Sequence, residues 1–329
     1  MKKQLLKYLC CPSCEKDLQL TNCNIEDEIN NGTLRCIYCK ASYPILYGVP
    51  VFTKPDINLK KKITAQNFAY SWQTFPTLNK NFYWQQFLDW IKPVDEKFLA
   101  GKFVLDAGCG KGHHLLMISP YVKEAIGIDI SNSVFTVYNN IKHLSNIHVI
   151  KADLNFLPLK DGIFDYIYSI GVVHHTESPK RTVENLHKKI NKNGSMSLWV
   201  YGRENNGWII YFINPLRKII TTYFHPRIIY MISIVLALFL YPILKLFYLP
   251  VSKSKILNPI SKILFYYPYL SYISAFDFSE INNIIFDHLL APISHYLSKK
   301  EVEDLAKLSS AKPTIEWHNQ NSWRIQINT

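Results

Sequence analysis

Between residues 101 and 201 the chain alternates short apolar runs with longer stretches of mixed polarity. Apolar runs that end in a carboxylate or a turn are typical of buried strands, and the stretches between them have helical length. Strands alternating with helices predict an α/β fold with a doubly wound parallel sheet. The predicted strands are 103–106, Ala125–Asp129, Ile147–Ile150 and Phe164–Ser169, with helices near 112–121, 131–143 and 179–191.

The C-terminal pattern predicts the rest of the same sheet. Ser195–Tyr201 reads as a fifth strand. Ser298–Leu308 is an amphipathic helix with a capping box formed by Ser298 and Glu301. Two short strands, Thr314–His318 and Ser322–Ile327, follow it. About 95 residues, 202–297, are therefore inserted between the fifth strand and the closing helix.

The insertion contains the longest apolar stretch. Arg227 is followed by seventeen uncharged residues, Ile228–Leu244, and we expect Pro242 to end the helix. Because the chain must return to the sheet, a single membrane crossing is excluded, and Ile256–Phe276 makes a poor second span. The sequence therefore predicts a hairpin of apolar helices, either buried as a cap or lying in a membrane interface. Eight Lys or Arg against one acid within 202–276 favour the interface.

The N-terminal region carries two C-x-x-C pairs, Cys11/Cys14 and Cys36/Cys39, out of seven cysteines. Two such knuckles form the Cys₄ cage that Zn²⁺ prefers, and their spacing fits a zinc ribbon over residues 1–53. A disulfide framework is the alternative, and Cys10 is a second candidate in place of Cys11. Four thiolates leave no open position, so the zinc would be structural. Cys23 and Cys109 are expected to be plain small residues.

Glycines follow the first strand of the sheet at every second position. Asp106 ends that strand, and Gly108, Gly110 and Gly112 come next. Glycine lets the backbone turn sharply and approach a ligand closely, so this loop predicts a nucleotide-cofactor site. Asp129 ends the second strand and is placed to accept hydrogen bonds from ribose hydroxyls.

These motifs resemble class I S-adenosylmethionine (SAM) dependent methyltransferases with a type 11 domain. The resemblance implies a Rossmann-like, seven-stranded sheet, SAM as cofactor, and Asp153 with Leu154 beside the adenine. It implies His175, with His174 as the second candidate, as catalytic base, and an acceptor pocket near Asp287 and His295. The N-terminal region resembles a zinc-ribbon module that also exists as an activator subunit of methyltransferases. Residues 54–100 are then a basic linker, 54–62, and lid helices that carry the aromatic clusters 68–72 and 82–84.

Charge leaves two classes of acceptor open. The net charge of +12 suggests an acidic partner, either an anionic membrane surface or nucleic acid. The first interpretation is methyl transfer to a small or lipid-linked envelope metabolite, with the protein docked peripherally on the membrane. The alternative is an RNA methyltransferase acting on rRNA or tRNA. A third is a non-enzymatic interaction protein, which the intact glycine loop and carboxylates disfavour. We expect a cytoplasmic location, because Lys7 interrupts any apolar leader.

Overall fold

Eleven strands form one continuous sheet in the computed structural model, which describes residues 1–22, 28–52, 59–74 and 80–329. The sheet order is β1-β2-β3-β4-β7-β6-β5-β8-β9-β11-β10. In chain order the strands are β1 (Leu18–Thr21), β2 (Gly32–Cys36), β3 (Ser42–Leu46), β4 (Val49–Phe52), β5 (Phe103–Ala107), β6 (Glu124–Asp129), β7 (Ile147–Ala152), β8 (Phe164–Ile170), β9 (Ile190–Tyr201), β10 (Thr314–His318) and β11 (Ser322–Asn328).

The predicted seven-stranded sheet is the part that runs from β7 to β10. Strands β5 to β9 pair in parallel, and β11 is antiparallel to both of its neighbours. β9 begins at Ile190, five residues before the predicted start, because the chain enters the sheet through a register shift opposite Phe164 and Tyr166. The α/β class and the doubly wound topology are confirmed.

The N-terminal ribbon shares the sheet and the core of the larger domain. β4 pairs in parallel with β7, with Val51 opposite Lys151 and Phe52 opposite Ala152. Leu5, Leu9 and Phe52 are fully buried in the same apolar cluster as Ile150 and Leu159. Strand pairing therefore fuses the predicted ribbon to the edge of the larger sheet.

Polar contacts also hold the ribbon against the domain. The Glu124 carboxylate accepts hydrogen bonds from Gln4 Nε2 at 2.9 Å and from the Tyr8 hydroxyl. It also lies 2.7 Å from His148 Nε2, which is buried. The backbone N–H of Cys10 donates to the Pro158 carbonyl at 3.0 Å. These bonds satisfy polar groups that the docked ribbon removes from water.

Helices cover both faces of the sheet and build the insertion. Asp95, Ser178, Asp277 and Ser298 cap the helices that follow them through their side chains, and the Ser298–Glu301 capping box is present as predicted. The α-helices are α1 (Leu59–Thr74), α2 (Lys80–Ile91), α3 (Glu96–Leu99), α4 (His113–Ile118), α5 (Ser133–Ile141), α6 (Pro179–His187), α7 (Asn214–Tyr223), α8 (Pro226–Ile243), α9 (Leu249–Lys253), α10 (Tyr267–Ile273), α11 (Phe278–Leu290) and α12 (Lys299–Ala306).

The long apolar helix continues through Pro242. A wide π-helical turn, Leu244–Tyr248, joins α8 to α9, so the helical stretch runs over 28 residues from Pro226 to Lys253. The prediction that Pro242 ends the helix is wrong, because the wider turn takes up the register change that a missing proline N–H causes. By length and composition this stretch could cross a membrane, and 22% of its most apolar window is buried.

The predicted hairpin partner of the apolar helix is also corrected. Residues 256–276 form a short 3₁₀ turn, Asn258–Lys262, and the short helix α10 rather than one long helix. The neighbour of α8 is α11, where Ser233 Oγ donates a buried hydrogen bond to Asn282 Oδ1 at 2.8 Å. Helix α11 also contacts α1, the predicted lid, through Asn67 Nδ2, which donates to the Leu290 carbonyl at 2.9 Å. Cys23, residues 54–58 and the side chain of Phe82 lie outside the described residues.

Candidate functional site

The glycine loop after β5 has a backbone that only glycine fits. Gly108 and Gly110 have φ values of +96° and +52°. A Cβ on Gly108 would lie 2.4 Å from a Val172 methyl, and one on Gly110 would lie 2.9 Å from the Trp72 ring. Gly112, at φ +76°, is the N-cap of α4. A ligand can therefore come close to the backbone of this loop, and the N-terminus of α4 lies directly behind it.

Two carboxylates lie beneath this loop. Asp129 Oδ2 accepts from the Gly110 N–H at 3.0 Å, and its Oδ1 accepts from the Ser131 N–H at 2.8 Å. Burial raises the pKa of Asp129, and it raises the pKa of Asp106 to about 8. Asp106 Oδ2 has no hydrogen-bond partner among the residues that the structure describes. Asp129 and the loop N–H of Gly110 are held together beneath the glycines.

The third predicted cofactor position follows β7. Asp153 Oδ1 accepts from the Asn155 N–H at 2.9 Å, and Leu154 is buried in the core. Asp106 and Asp129 thus lie at the carboxyl ends of β5 and β6, and Asp153 follows β7, the third of three neighbouring parallel strands. The carboxyl ends of these strands share one sheet edge, so the predicted cofactor residues come together there. The glycine loop, Asp129 and Asp153 are the residues that would hold SAM.

A cavity of about 330 Å³ opens beside the glycine loop. Its floor is residues 108–111 and 170–172, and its roof comes from α1, α2, α10 and α11. Aromatic rings dominate the wall. They are Phe68, Trp72, Tyr83, Trp90, Trp199, Tyr201, Tyr266, Tyr269, Tyr272, Phe276 and Tyr296. The cavity is therefore an aromatic chamber bounded on one side by the insertion, the concave and mainly apolar kind of site that binds small ligands.

Only one of the two adjacent histidines lines this chamber. His175 faces it, and His175 Nδ1 lies 2.7 Å from the Ile293 carbonyl. Because a carbonyl only accepts, Nδ1 carries the proton and Nε2 keeps its lone pair. Burial lowers the pKa of His175 to about 3, so the ring is neutral. His174 is fully buried outside the chamber, against the Tyr201 ring, and cannot contact a substrate there.

Of the two predicted pocket residues, Asp287 and His295, one lines the chamber and the other does not. Asp287 lines the chamber and accepts from Ser71 Oγ at 2.7 Å. Its partial exposure is to the chamber, and burial raises its pKa to about 6. His295 lies outside the chamber lining, and its backbone N–H donates to the His174 carbonyl at 2.8 Å. Asp287 and His175 therefore line the chamber, and His174 and His295 do not.

The four predicted metal ligands form one cluster. The Sγ atoms of Cys11, Cys14, Cys36 and Cys39 all lie within 4.8 Å of one another. Two of the separations, Cys11 to Cys39 and Cys14 to Cys36, are 3.5 Å. Zn–S bonds of about 2.3 Å in a tetrahedron place sulfurs about 3.8 Å apart, so the cluster fits zinc. Cys10 is buried beside the cluster and is not a member of it.

Comparison with known proteins identifies the family of the domain that contains the central sheet. Residues 105–198 match the family model described as "Methyltransferase domain". The chain contains a methyltransferase domain. The tRNA U34 carboxymethyltransferase of Aeromonas hydrophila is 30% identical over 148 residues, which cover 39% of this chain and 44% of that protein. The enzyme of the same name from Colwellia psychrerythraea is 34% identical over 130 residues, 37% of this chain and 40% of that protein.

The chain spans less than half the length of these curated relatives. Among solved structures, the N-methyltransferase NodS from Bradyrhizobium japonicum is 17% identical, with a TM-score of 0.36 over 43% of this chain and 74% of that one. A SAM-dependent methyltransferase from Aquifex aeolicus is 20% identical, with a TM-score of 0.32 over 45% and 76%. The family match falls on the central parallel strands of the sheet, β5 to β9.

Several chamber residues of the methyltransferase domain carry no sequence signal. Lys111 and His113 lie in and after the glycine loop, and Glu280 comes from α11. The Tyr83 hydroxyl donates to Glu280, which ties α2 to the insertion. These residues come from elements that are far apart in the sequence and come together only in the folded protein, so motif pattern and spacing could not identify them as chamber residues.

Proposed function

We propose that the protein transfers a methyl group from SAM to a nucleophile seated in the aromatic chamber. The observation that carries this proposal is the glycine loop of the methyltransferase domain, which forms the chamber floor. When bound, SAM supplies an electrophilic methyl group on a sulfonium. The protein's task is then to hold the acceptor in line and to exclude water.

Two chamber residues are proposed to act on the acceptor. Asp287 is the proposed proton acceptor, because its pKa of about 6 lies near neutral pH, where a general base works best. His175 has too low a pKa for that role, and its Nε2 lone pair is proposed to orient a donor on the acceptor. Ser71 holds the Asp287 carboxylate through its hydroxyl.

For the acceptor, the relatives favour RNA over the lipid-linked metabolite. Their shared name is tRNA U34 carboxymethyltransferase, and the similarity covers 39% and 37% of this chain. An aromatic chamber suits a base turned out of its stack, since bases stack on aromatic rings. The net charge of +12 suits phosphate. We therefore propose an RNA nucleotide as the acceptor.

A lipid-linked metabolite remains the second candidate, and one observation favours it. The insertion that roofs the chamber also exposes many large apolar side chains to solvent. An acceptor carried in a membrane would reach the chamber from that side. Cytoplasmic location is part of both proposals.

The cofactor step is tested with Asp129→Ala, which removes the proposed ribose acceptor. SAM affinity measured by calorimetry should fall about 10- to 100-fold, the loss expected for hydrogen bonds to a charged group. Ser133→Ala is the matched control, since it removes the Ser133 Oγ bonds to the Gly110 carbonyl, at 2.8 Å, and to Ser131 Oγ, at 2.7 Å, and leaves the Asp129 carboxylate in place. Unchanged affinity in Asp129→Ala would refute the cofactor assignment.

The acceptor is tested by partition of label. The protein is incubated with methyl-labelled SAM and a cell lysate, which is then separated into organic, RNA, protein and small polar fractions. Label in RNA supports the first candidate and label in the organic fraction the second. Asp287→Asn should abolish labelling in whichever fraction carries it, and labelling that Asp287→Asn leaves intact would contradict the proposed base.

A further inference from the structure

The insertion exposes a continuous series of large apolar side chains. Of the 25 large apolar residues that are at least 40% exposed within the described residues, nineteen lie between Tyr211 and Phe265. We call the exposed large apolar side chains between Tyr211 and Phe265 the apolar face. Its centre is α8 and the π-helical turn after it, where Met231, Phe239 and Leu246 are 65–70% exposed. Soluble monomers rarely expose more than a few hundred Å² of contiguous apolar surface, so a face of this extent indicates a binding surface.

The inner side of the same helix is already packed. Ile229, Ser233 and Ala237 recur at every fourth position and are fully buried. Ser233 is hydrogen-bonded to Asn282 on α11, and α11 carries Asp287 into the chamber. A helix that spanned a bilayer alone would surrender these contacts. The helix therefore lies with one side on the protein and the other uncovered.

Charge decides what covers the uncovered side. Residues 205–276 contain no Asp or Glu. Arg227 at the start of α8, Lys253 at the end of α9, and Lys255 and Lys262 just beyond are all exposed. Cations that border an apolar surface complement anionic lipid headgroups. A two-fold dimer through the same face would set these cations against their own copies without an intervening acid from this segment.

We propose that the apolar face docks on an anionic bilayer, with α8 and α9 lying in the boundary between headgroups and acyl chains. The proposal does not depend on the methyl-transfer reaction, because the family match ends at residue 198, before the insertion begins. Docking this face would hold the roof of the chamber at the membrane surface.

The test is flotation of the full chain with extruded vesicles on a density gradient. Aggregated protein sinks, whereas vesicle-bound protein floats. The vesicles are pure phosphatidylcholine, or phosphatidylcholine and phosphatidylglycerol in a ratio of about two to one. The protein should float with the anionic vesicles and much less with the neutral ones, and added salt should release part of it.

Two variants separate the apolar and charged contributions. Phe239→Asp with Leu246→Asp should weaken flotation at least about a hundredfold, since two large apolar side chains no longer enter the bilayer. Leu46→Asp, an exposed apolar position on β3 of the ribbon, is the matched control and should float as wild type. Lys253→Gln with Lys255→Gln should weaken anionic binding about thirtyfold, since each cation near the surface contributes about fivefold.

Folding of each variant is checked by near-ultraviolet circular dichroism and by SAM affinity, because none of these residues lines the chamber. Wild-type protein that stays at the bottom of both gradients would overturn the proposal. Concentration-dependent dimerisation through Phe239 and Leu246 without flotation would assign the face to a second copy. Binding of tRNA that requires Phe239 and Leu246, again without flotation, would assign it to RNA.

Discussion

Asp287 gives a stability prediction that can be worked out from its surroundings. Its carboxylate faces the chamber, and burial raises its pKa from 3.8 to about 6. A rise of that size favours the protonated form in the fold by about 3 kcal/mol. The folded state binds more protons than the unfolded chain between about pH 3.8 and 6, so stability falls as pH rises through that window. Above it, the ionised carboxylate destabilises the fold by up to about 3 kcal/mol.

Asp287→Asn removes the charge and keeps an oxygen that can accept from Ser71 Oγ. The variant should therefore be more stable than wild type at pH 8, and its advantage should be about 1–2 kcal/mol wider at pH 8 than at pH 5. Urea unfolding at the two pH values measures the difference. Methyl transfer should fall at least about 100-fold with SAM affinity unchanged, as expected when a general base is lost.

Asp277→Asn on the same helix is the control. Asp277 is exposed and caps α11 by accepting from the Glu280 N–H at 2.9 Å, a role that Asn also fills. It should change neither the stability nor the activity by much at either pH. An advantage for Asp287→Asn that does not change with pH, or a loss of stability at pH 8, would refute the assignment of a costly buried charge.

The remaining predictions concern the ribbon and the loop. Protein purified under reducing conditions should contain one zinc per chain, and elemental analysis of Cys36→Ser should show less; absence of zinc in wild type would contradict the ribbon. Phe52→Ala should cost about 3–5 kcal/mol in urea unfolding, because the ring is fully buried between ribbon and domain, and the two parts should still unfold in one transition. Gly110→Ala should weaken SAM binding by calorimetry at least about tenfold, since its Cβ would lie 2.9 Å from the Trp72 ring; wild-type affinity would show that the loop yields.

The features that sequence predicted well are those with local causes. Three such features are the glycine loop, the carboxylates at strand ends and the Ser298 capping box. Each depends on a few adjacent residues, so the sequence pattern alone is enough to predict its local structure. The C-x-x-C pairs also belong here, since each knuckle forms within a few residues. Asp287 was predicted from the family resemblance, and the fold supplies its burial and its Ser71 partner.

The features that sequence missed depend on distant partners. Pairing of β4 with β7 joins residues about 100 positions apart, and neither strand carries a mark of the other. Pro242 is accommodated by a π-helical turn that follows it, which a rule about proline alone does not include. His174 and His175 look equivalent in sequence, but they sit in one 3₁₀ turn whose successive residues point in different directions, so only His175 reaches the chamber.

The pairing of β4 with β7 has a consequence for solubility. Without the ribbon, β7 would be an edge strand, and an uncovered edge is a template for pairing with other chains. Its sequence, Ile147–Ala152, is mostly apolar and almost entirely buried. The four cysteines fold the segment that covers this edge. If the cysteine cluster holds zinc, loss of the metal would therefore expose an aggregation-prone edge strand, and zinc supply would govern how much of the chain stays in solution.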